Sequence, residues 1–360
     1  VADLLVCGAP KQRDTLARVR AAVTSRREVM EVVDVPSPGG PGSGEVLLRP
    51  EAVGICGSDF HYFLGDLGFE RYPRVQGHEF SATVEEVGPD CPQHLSAGQR
   101  VAIWPVAACG HCYPCRVGRP NVCVNLSLVG VHRDGALQEQ LRVPAGQVYP
   151  VADLDPALGA LVEPVSIAMR AVVRGRVAAG EKVVVFGAGP IGQSIAAAAL
   201  DRDAAVLLVD RVASRLEIGQ VVGAETLQVE EGRDPVAAIR EWAGGDGPEV
   251  VFEATGVPAV ARTAIDLVAQ AGRVVIVGLS HTDAPIRVGD LAFREIDVLG
   301  VSCCQGEEFA DAVSLVSRRR DALASLVTHE FSFEQAPEAL RYAMQHPSEV
   351  MKAIVRLEAG

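Results

Sequence analysis

Hydrophobic and polar positions change rhythm partway along the chain. Over the first 150 residues apolar positions come in short runs and loose alternations, punctuated by Gly and Pro. Val23 to Val35 reads as a hairpin, Pro36–Gly42 as a turn-rich break, and Glu45–Val53, Phe80–Val87 and Gln99–Val106 as strands. Ahead of them lie a short apolar start and a basic stretch, Lys11–Arg20, that looks helical. From about residue 180, compact apolar runs at Lys182–Phe186, Ala205–Val209, Glu249–Glu253 and Arg273–Val277 alternate with helical patterns. Those patterns span Pro190–Leu200, Ala213–Val222, Val236–Ala243 and Ala259–Val268. Repeated β then α predicts a mostly parallel sheet faced by helices, and Ile296–Val301 offers a further strand. The last fifty residues predict a helix over Phe309–Ser317, a turn and helix over Phe333–Met344, and a strand over Val350–Leu357 that can return to the first half. The pattern is that of a two-domain α/β chain.

One loop in the second half carries chemistry. Gly187, Gly189 and Gly192 form G-x-G-x-x-G directly after an apolar strand and before a helix, with Pro190 and Ile191 between them. The first glycine permits a tight turn, the second lets backbone approach a pyrophosphate, and the third lets helix and strand pack closely. Asp210 closes the next strand, 23 residues after Gly187. Its carboxylate is placed to accept from adenosine ribose hydroxyls, which favours NAD over NADP. Arg211 and Arg215 soften that preference, because either can contact a phosphate. Thr255 and Val277, at the ends of later strands, are further candidates to touch the dinucleotide.

Composition narrows the function classes. With 360 residues, 48% hydrophobic and 22% charged, the chain is long enough for two ordinary domains and too apolar for global disorder. Its most apolar stretches are interrupted by Asp201, Arg202 and Asp203 and fall short of a membrane span. A net charge of −13 argues against nonspecific nucleic-acid binding. The N-terminus lacks a basic, then apolar, then small-residue processing pattern, so a cytoplasmic location is expected.

Nine cysteines form a poor disulfide framework, but four fall within fifteen positions. Cys109-x2-Cys112-x2-Cys115-x7-Cys123 supplies four thiolates at the spacing of a tetrahedral zinc site, with an iron–sulfur cluster as the chemical alternative. Four thiolates leave no open position, so the expected role is structural. A second set is dispersed: Cys56 in Gly54-Ile-Cys-Gly-Ser-Asp59, His78 and Glu79 in Gly77-His-Glu79, and Glu163 before Pro164. One thiolate, one imidazole and a carboxylate can hold a zinc ion with one position open to water or substrate. No local spacing rule connects these residues.

The two sets and the glycine loop occur together in the order Gly54–Asp59, Gly77–Glu79, Cys109–Cys123, Leu161–Pro164 and Gly187–Gly192. In this the chain resembles the zinc-dependent medium-chain alcohol and polyol dehydrogenases over roughly residues 21–360. The resemblance implies a GroES-like β-rich catalytic domain over 1–172 and 311–360, with an atypical N-terminal extension at 1–20 and a structural zinc lobe at 105–125. It implies a Rossmann NAD-binding domain, a doubly wound parallel sheet, over 173–310. Cys56, His78 and Glu163 would then hold a catalytic zinc, with Glu79 ligating it or lying just behind. Glu163 resembles the sorbitol, threonine and sugar-acid branches more than the ethanol branch. Tyr72-Pro-Arg-Val, Asn121-Val-Cys and Val129–Gly135 resemble bacterial sorbitol dehydrogenases and the L-galactonate or L-gulonate 5-dehydrogenases. Ser302-Cys-Cys-Gln-Gly306 departs from the Ser-Arg segment expected of sugar-acid members.

The implied activity is hydride transfer between NAD(H) and a secondary alcohol or ketone of a polyol or sugar acid. Ser58 is the choice for first proton-relay group and His61 for the next, towards solvent. Glu79 tunes the metal. Arg119, His132, Arg133 and Asp134 are candidates to meet substrate hydroxyls. The competing expectations are an L-threonine 3-dehydrogenase-like enzyme and an inactive dinucleotide-binding protein. Homodimers and homotetramers are both common in such a family.

Overall fold

The computed structural model describes residues 17–357, apart from 152, 231 and 281. The apolar start and most of the basic stretch at 11–20, with Cys7, lie outside the described residues. Arg18–Arg20 do not end a helix. They open the strand Arg18–Arg26, in which Val19 and Ala21 turn inward between exposed Arg18 and half-buried Arg20. That strand pairs antiparallel with Val29–Pro36, the hairpin read from alternation.

The main sheet of the first half has seven strands. Its path runs Val148–Pro150, Arg100–Ile103, Glu79–Val87, Glu45–Gly54, Lys352–Arg356, Val327–Ser332, and Leu141–Pro144 also pairs with Glu45–Gly54. The chain's last strand therefore returns to the first half, antiparallel to Glu45–Gly54, with Ile354 opposite Gly54 and Gly54 opposite Glu79. This register brings Lys352 beside Glu79, although 273 residues separate them. The single strand expected over Gln99–Val106 is two, Arg100–Ile103 and Val106–Ala107, because Pro105 lies between them and has no N–H for a ladder.

The second half is a six-stranded, fully parallel sheet. Its order is Glu225–Gln228, Ala205–Asp210, Lys182–Phe186, Val250–Glu253, Arg273–Ile276, Asp297–Gly300. Both faces are covered. Val183, Val185, Val206 and Leu208 join one apolar core, while Val184, Phe186, Leu207 and Val209 join another. The order reverses beside Lys182–Phe186, and ligands of such sheets bind at that switch point.

The helix Val162–Arg174 carries Glu163 in its first turn. Most of it is buried, from Val162 to Val172, including Glu163, Ser166 and Arg170, so its polar residues are not turned to solvent. It packs in the same core as the helix Pro190–Leu200. Among the described residues no helix is long and apolar enough to cross a membrane.

Candidate catalytic and cofactor site

The strand Lys182–Phe186 ends at Gly187, whose φ of +97° lies in the left-handed region. A Cβ on Gly192 would sit 1.7 Å from the Gly187 carbonyl oxygen, so the helix reaches the strand only because residue 192 has no side chain. A Cβ on Gly189 would meet nothing within 4 Å. The space in front of this helix N-terminus is thus open, as an approaching pyrophosphate requires. Asp210 Oδ2 accepts from the Ala188 N–H at 2.6 Å and Oδ1 from the Val212 N–H at 2.8 Å, with Arg215 Nη1 3.9 Å away.

Gly187, Gly189, Asp210, Arg211, Arg215 and Thr255 line one cleft of about 930 Å³. Pro190, Ile191, Gly192 and Val277 are not among its walls. The first three build the start of the helix, and the Val277 N–H is spent on the Glu253 carbonyl at 2.9 Å. The buried Glu253 carboxylate holds Thr255 through its N–H at 2.7 Å and through its hydroxyl.

The dispersed set converges. Cys56 is the N-cap of the helix Gly57–Leu64, while His78 and Glu79 lie where the chain enters the strand Glu79–Val87. One ligand atom from each of Cys56, His78 and Glu79 lies within 4.8 Å of the others. Glu163 is not in this trio. It is buried, and burial, with Glu79 and Asp59 near it, pushes its carboxyl up to about 7 against the pull of His78 and Lys352. It lies on a separate helix, within electrostatic range of His78, Glu79 and Lys352.

Of three surrounding residues, Asp59 closes the Gly54–Asp59 motif, while Gln76 and Lys352 had no signal in any local motif. Asp59 is buried, accepts from the Cys56 N–H at 2.9 Å, and faces His78 Nδ1 at 3.8 Å. Burial disfavours the charged imidazole, but Asp59, Cys56 and Glu163 hold its proton affinity well above the ordinary value. Gln76 is fully buried, donates to Asp59 Oδ1 at 3.2 Å and accepts from the Thr24 hydroxyl at 2.6 Å. Lys352, also buried, donates to Glu79 Oε2 at 2.6 Å. His78 Nδ1 is buried without a hydrogen-bond partner. A trio of sulfur, imidazole nitrogen and carboxylate oxygen, braced by charged neighbours, is a donor set that suits zinc.

Ser58 Oγ lies 3.3 Å from His78 Nε2. His61, on the same helix, is exposed, with Nδ1 3.0 Å from Asp66. Three of the four proposed substrate contacts, His132 to Asp134, are consecutive in the chain. Asp134 pairs with Arg74 at 2.9 Å, His132 stacks on Phe69, Arg133 reaches Gln147 at 3.4 Å, and Arg119 lines a separate cavity.

In the cysteine lobe, one sulfur from each of Cys109, Cys112, Cys115 and Cys123 lies within 4.8 Å of the rest. Cys112 is 3.3 Å from Cys115 and 3.7 Å from Cys123, too far for a disulfide. A tetrahedral ion with bonds of about 2.3 Å sets its sulfurs about 3.8 Å apart, so the four fit zinc. Backbone N–H groups of His111 and Cys112 draw the Cys109 thiol down to about 5, while burial and neighbouring sulfurs push Cys115 up to about 12.

The chain matches two family models, the alcohol dehydrogenase GroES-like domain over residues 42–153 and the zinc-binding dehydrogenase over residues 190–318. It is 33% identical to L-galactonate-5-dehydrogenase of Escherichia coli over 322 residues, covering 88% of this chain and 92% of that one. Human sorbitol dehydrogenase is 37% identical over 308 residues, covering 83% and 85%. A solved structure of a putative zinc-binding dehydrogenase from Sinorhizobium meliloti, bound to NADP, superposes with a TM-score of 0.86 at 30% identity, covering 94% and 99%. The chain belongs to the zinc-type alcohol dehydrogenase family, as an oxidoreductase with a GroES-like half and a Rossmann half.

Proposed function

We propose that the protein is an NAD-dependent zinc oxidoreductase acting on a secondary alcohol, or the corresponding ketone, of a polyol or sugar acid. The observation that carries this reading is the convergence of Cys56, His78 and Glu79, drawn from separate elements, in a chain that also holds an open dinucleotide cleft. Cys56, His78 and Glu79 would hold the metal, with Glu163, buried within their electrostatic range, as a further carboxylate ligand. Zinc bound there supplies Lewis acidity towards a hydroxyl or carbonyl oxygen, and the nicotinamide supplies the hydride acceptor.

The chain's own residues position these groups and move the proton. The Asp59 carboxylate faces His78 Nδ1 at 3.8 Å, and the buried Lys352 ammonium pairs with the Glu79 carboxylate. Ser58 takes the substrate hydroxyl proton, and His61, exposed beside Asp66, passes it to solvent. Gly187, Gly189 and Asp210 seat the dinucleotide. The four lobe cysteines would hold a second, structural zinc. The proposed domain limits are 1–172 with 311–360, and 173–310.

Self-association is part of the reading. The strand Asp297–Gly300 is an open sheet edge, and Phe293, Leu279 and Val288 nearby are 91%, 78% and 70% exposed. An apolar patch beside an unpaired edge suits a second copy of the chain in a homodimer or homotetramer.

Two experiments test the reading. A panel of polyols, aldonates and threonine, run with NAD and NADP, is expected to give turnover on a polyol or aldonate with NAD preferred. Preference for threonine, or no turnover on any member, contradicts it. Asp210→Ala is expected to lower kcat/KM for NAD by roughly tenfold or more, the scale of a charge-assisted hydrogen bond, and that for NADP less. An equal loss with both cofactors would remove Asp210 from cofactor choice.

A further inference from the structure

On a chain of net charge −13, a cluster of cations without matching carboxylates calls for an explanation. The helix Val162–Arg174 ends in one. Arg170 and Arg174 follow Glu163 by seven and eleven residues, so all three share one face. They lie about 10 and 16 Å further along the axis, with side chains that lean back towards the N-terminus. At the outer end of this stripe Arg119, Arg170, Arg174, Asn121, Gly300 and Ser302 wall a cavity of about 220 Å³. No acidic residue is among its walls.

Only Arg170 is neutralised, by Glu308 at 2.6 Å. Among the described residues neither Arg119 nor Arg174 has a carboxylate partner, and the Arg174 guanidinium touches only the Gly300 carbonyl, at 3.4 Å. Burial, and then the charges of Arg119, Arg170 and Arg176, loosen the hold of Arg174 on its proton. The cavity thus gathers three guanidinium groups against one carboxylate, an excess of positive charge that an anion relieves.

We propose that this cavity is an anion-binding site for a phosphate group, separate from the zinc and dinucleotide sites. Two guanidinium forks without carboxylate partners, on a wall that also includes Asn121 and Ser302, match a dianion with three or four acceptor oxygens better than a single carboxylate. The cavity is also wired to the catalytic wall. Asn121 Nδ2 donates to the Ser302 carbonyl at 2.8 Å, and the next residue, Cys303, lies in the electrostatic range of Glu163 and His78. The phosphate has two possible sources, inorganic phosphate or the far end of a phosphorylated polyol substrate.

Calorimetric titration of the zinc-loaded protein with inorganic phosphate, against chloride at equal ionic strength, tests the site without turnover. Saturable binding is expected, at least tenfold weaker in Arg119→Gln/Arg174→Gln and intermediate in Arg174→Lys, which keeps the charge and loses the fork. Absence of saturable binding, or equal affinity in the double variant, overturns the site. Circular dichroism of the double variant checks that it is folded, and Arg174→Lys keeps the test independent of that check. The turnover arm rests on the function proposed above, whereas the binding arm does not. A polyol phosphate with a kcat/KM above that of its parent polyol, an advantage lost in the double variant, assigns the phosphate to the substrate. Equal kcat/KM for the two assigns the site to free phosphate.

Discussion

The two clusters of metal-type ligands are built in opposite ways. Cys109, Cys112, Cys115 and Cys123 come from one short stretch of turns, and none of residues 107–125 belongs to an apolar core. Cys56, His78 and Glu79 come from a helix cap and a strand end, and a buried lysine, aspartate and glutamine surround them. In the lobe the metal makes up for packing that is missing. At the buried site the packing comes first and creates the ligand geometry. Losing a ligand should therefore unfold something in the lobe and disable something at the buried site.

The largest effect on stability is expected at the buried site's counter-charge. Lys352→Met leaves the Glu79 carboxylate buried without a cation, which costs about 3–5 kcal/mol. Urea unfolding measures it, and Lys352→Met/Glu79→Gln should recover much of the loss. If Lys352→Met costs less than about 1 kcal/mol, the pair is not the brace described here. Cys112→Ser is expected next, at about 1–3 kcal/mol, with new protease cleavage inside residues 107–125 and one zinc lost. A cleavage pattern unchanged from wild type would mean the lobe is held by packing after all. The smallest effect is Gln76→Leu, which releases Asp59 and should weaken zinc binding at the buried site about tenfold, read by chelator competition. Lobe zinc should be unaffected, and equal weakening at both sites would point to general destabilisation.

What the sequence made legible follows the same divide. The glycine loop, Asp210 and the cysteine lobe are local, so spacing alone marked them, and the strands on both sides of the loop were visible as apolar runs. The trio was visible only through a family resemblance, because no spacing links Cys56 to His78. Lys352 was not visible at all. It meets Glu79 through antiparallel pairing of the last strand with Glu45–Gly54, and register across a whole domain leaves no mark in a short window. Gln76 and Thr24 were missed for the same reason, being 52 residues apart and joined only in the fold. The strand Val327–Ser332 was overlooked because its residues are only half-buried or exposed. Of the four expected substrate contacts, Asp134 pairs with Arg74 and His132 stacks on Phe69, neighbours brought to them only by the fold.

Zinc counted per chain, together with turnover, in the wild type, Cys56→Ser and Cys112→Ser tests the central claim most directly. The wild type should hold two ions. Cys56→Ser should hold one, stay folded, and lose turnover by roughly a thousandfold, about 4 kcal/mol of transition-state stabilisation. Cys112→Ser should also hold one while keeping measurable turnover. A Cys56→Ser protein that retains two ions and turns over like the wild type would contradict the assignment of the catalytic centre.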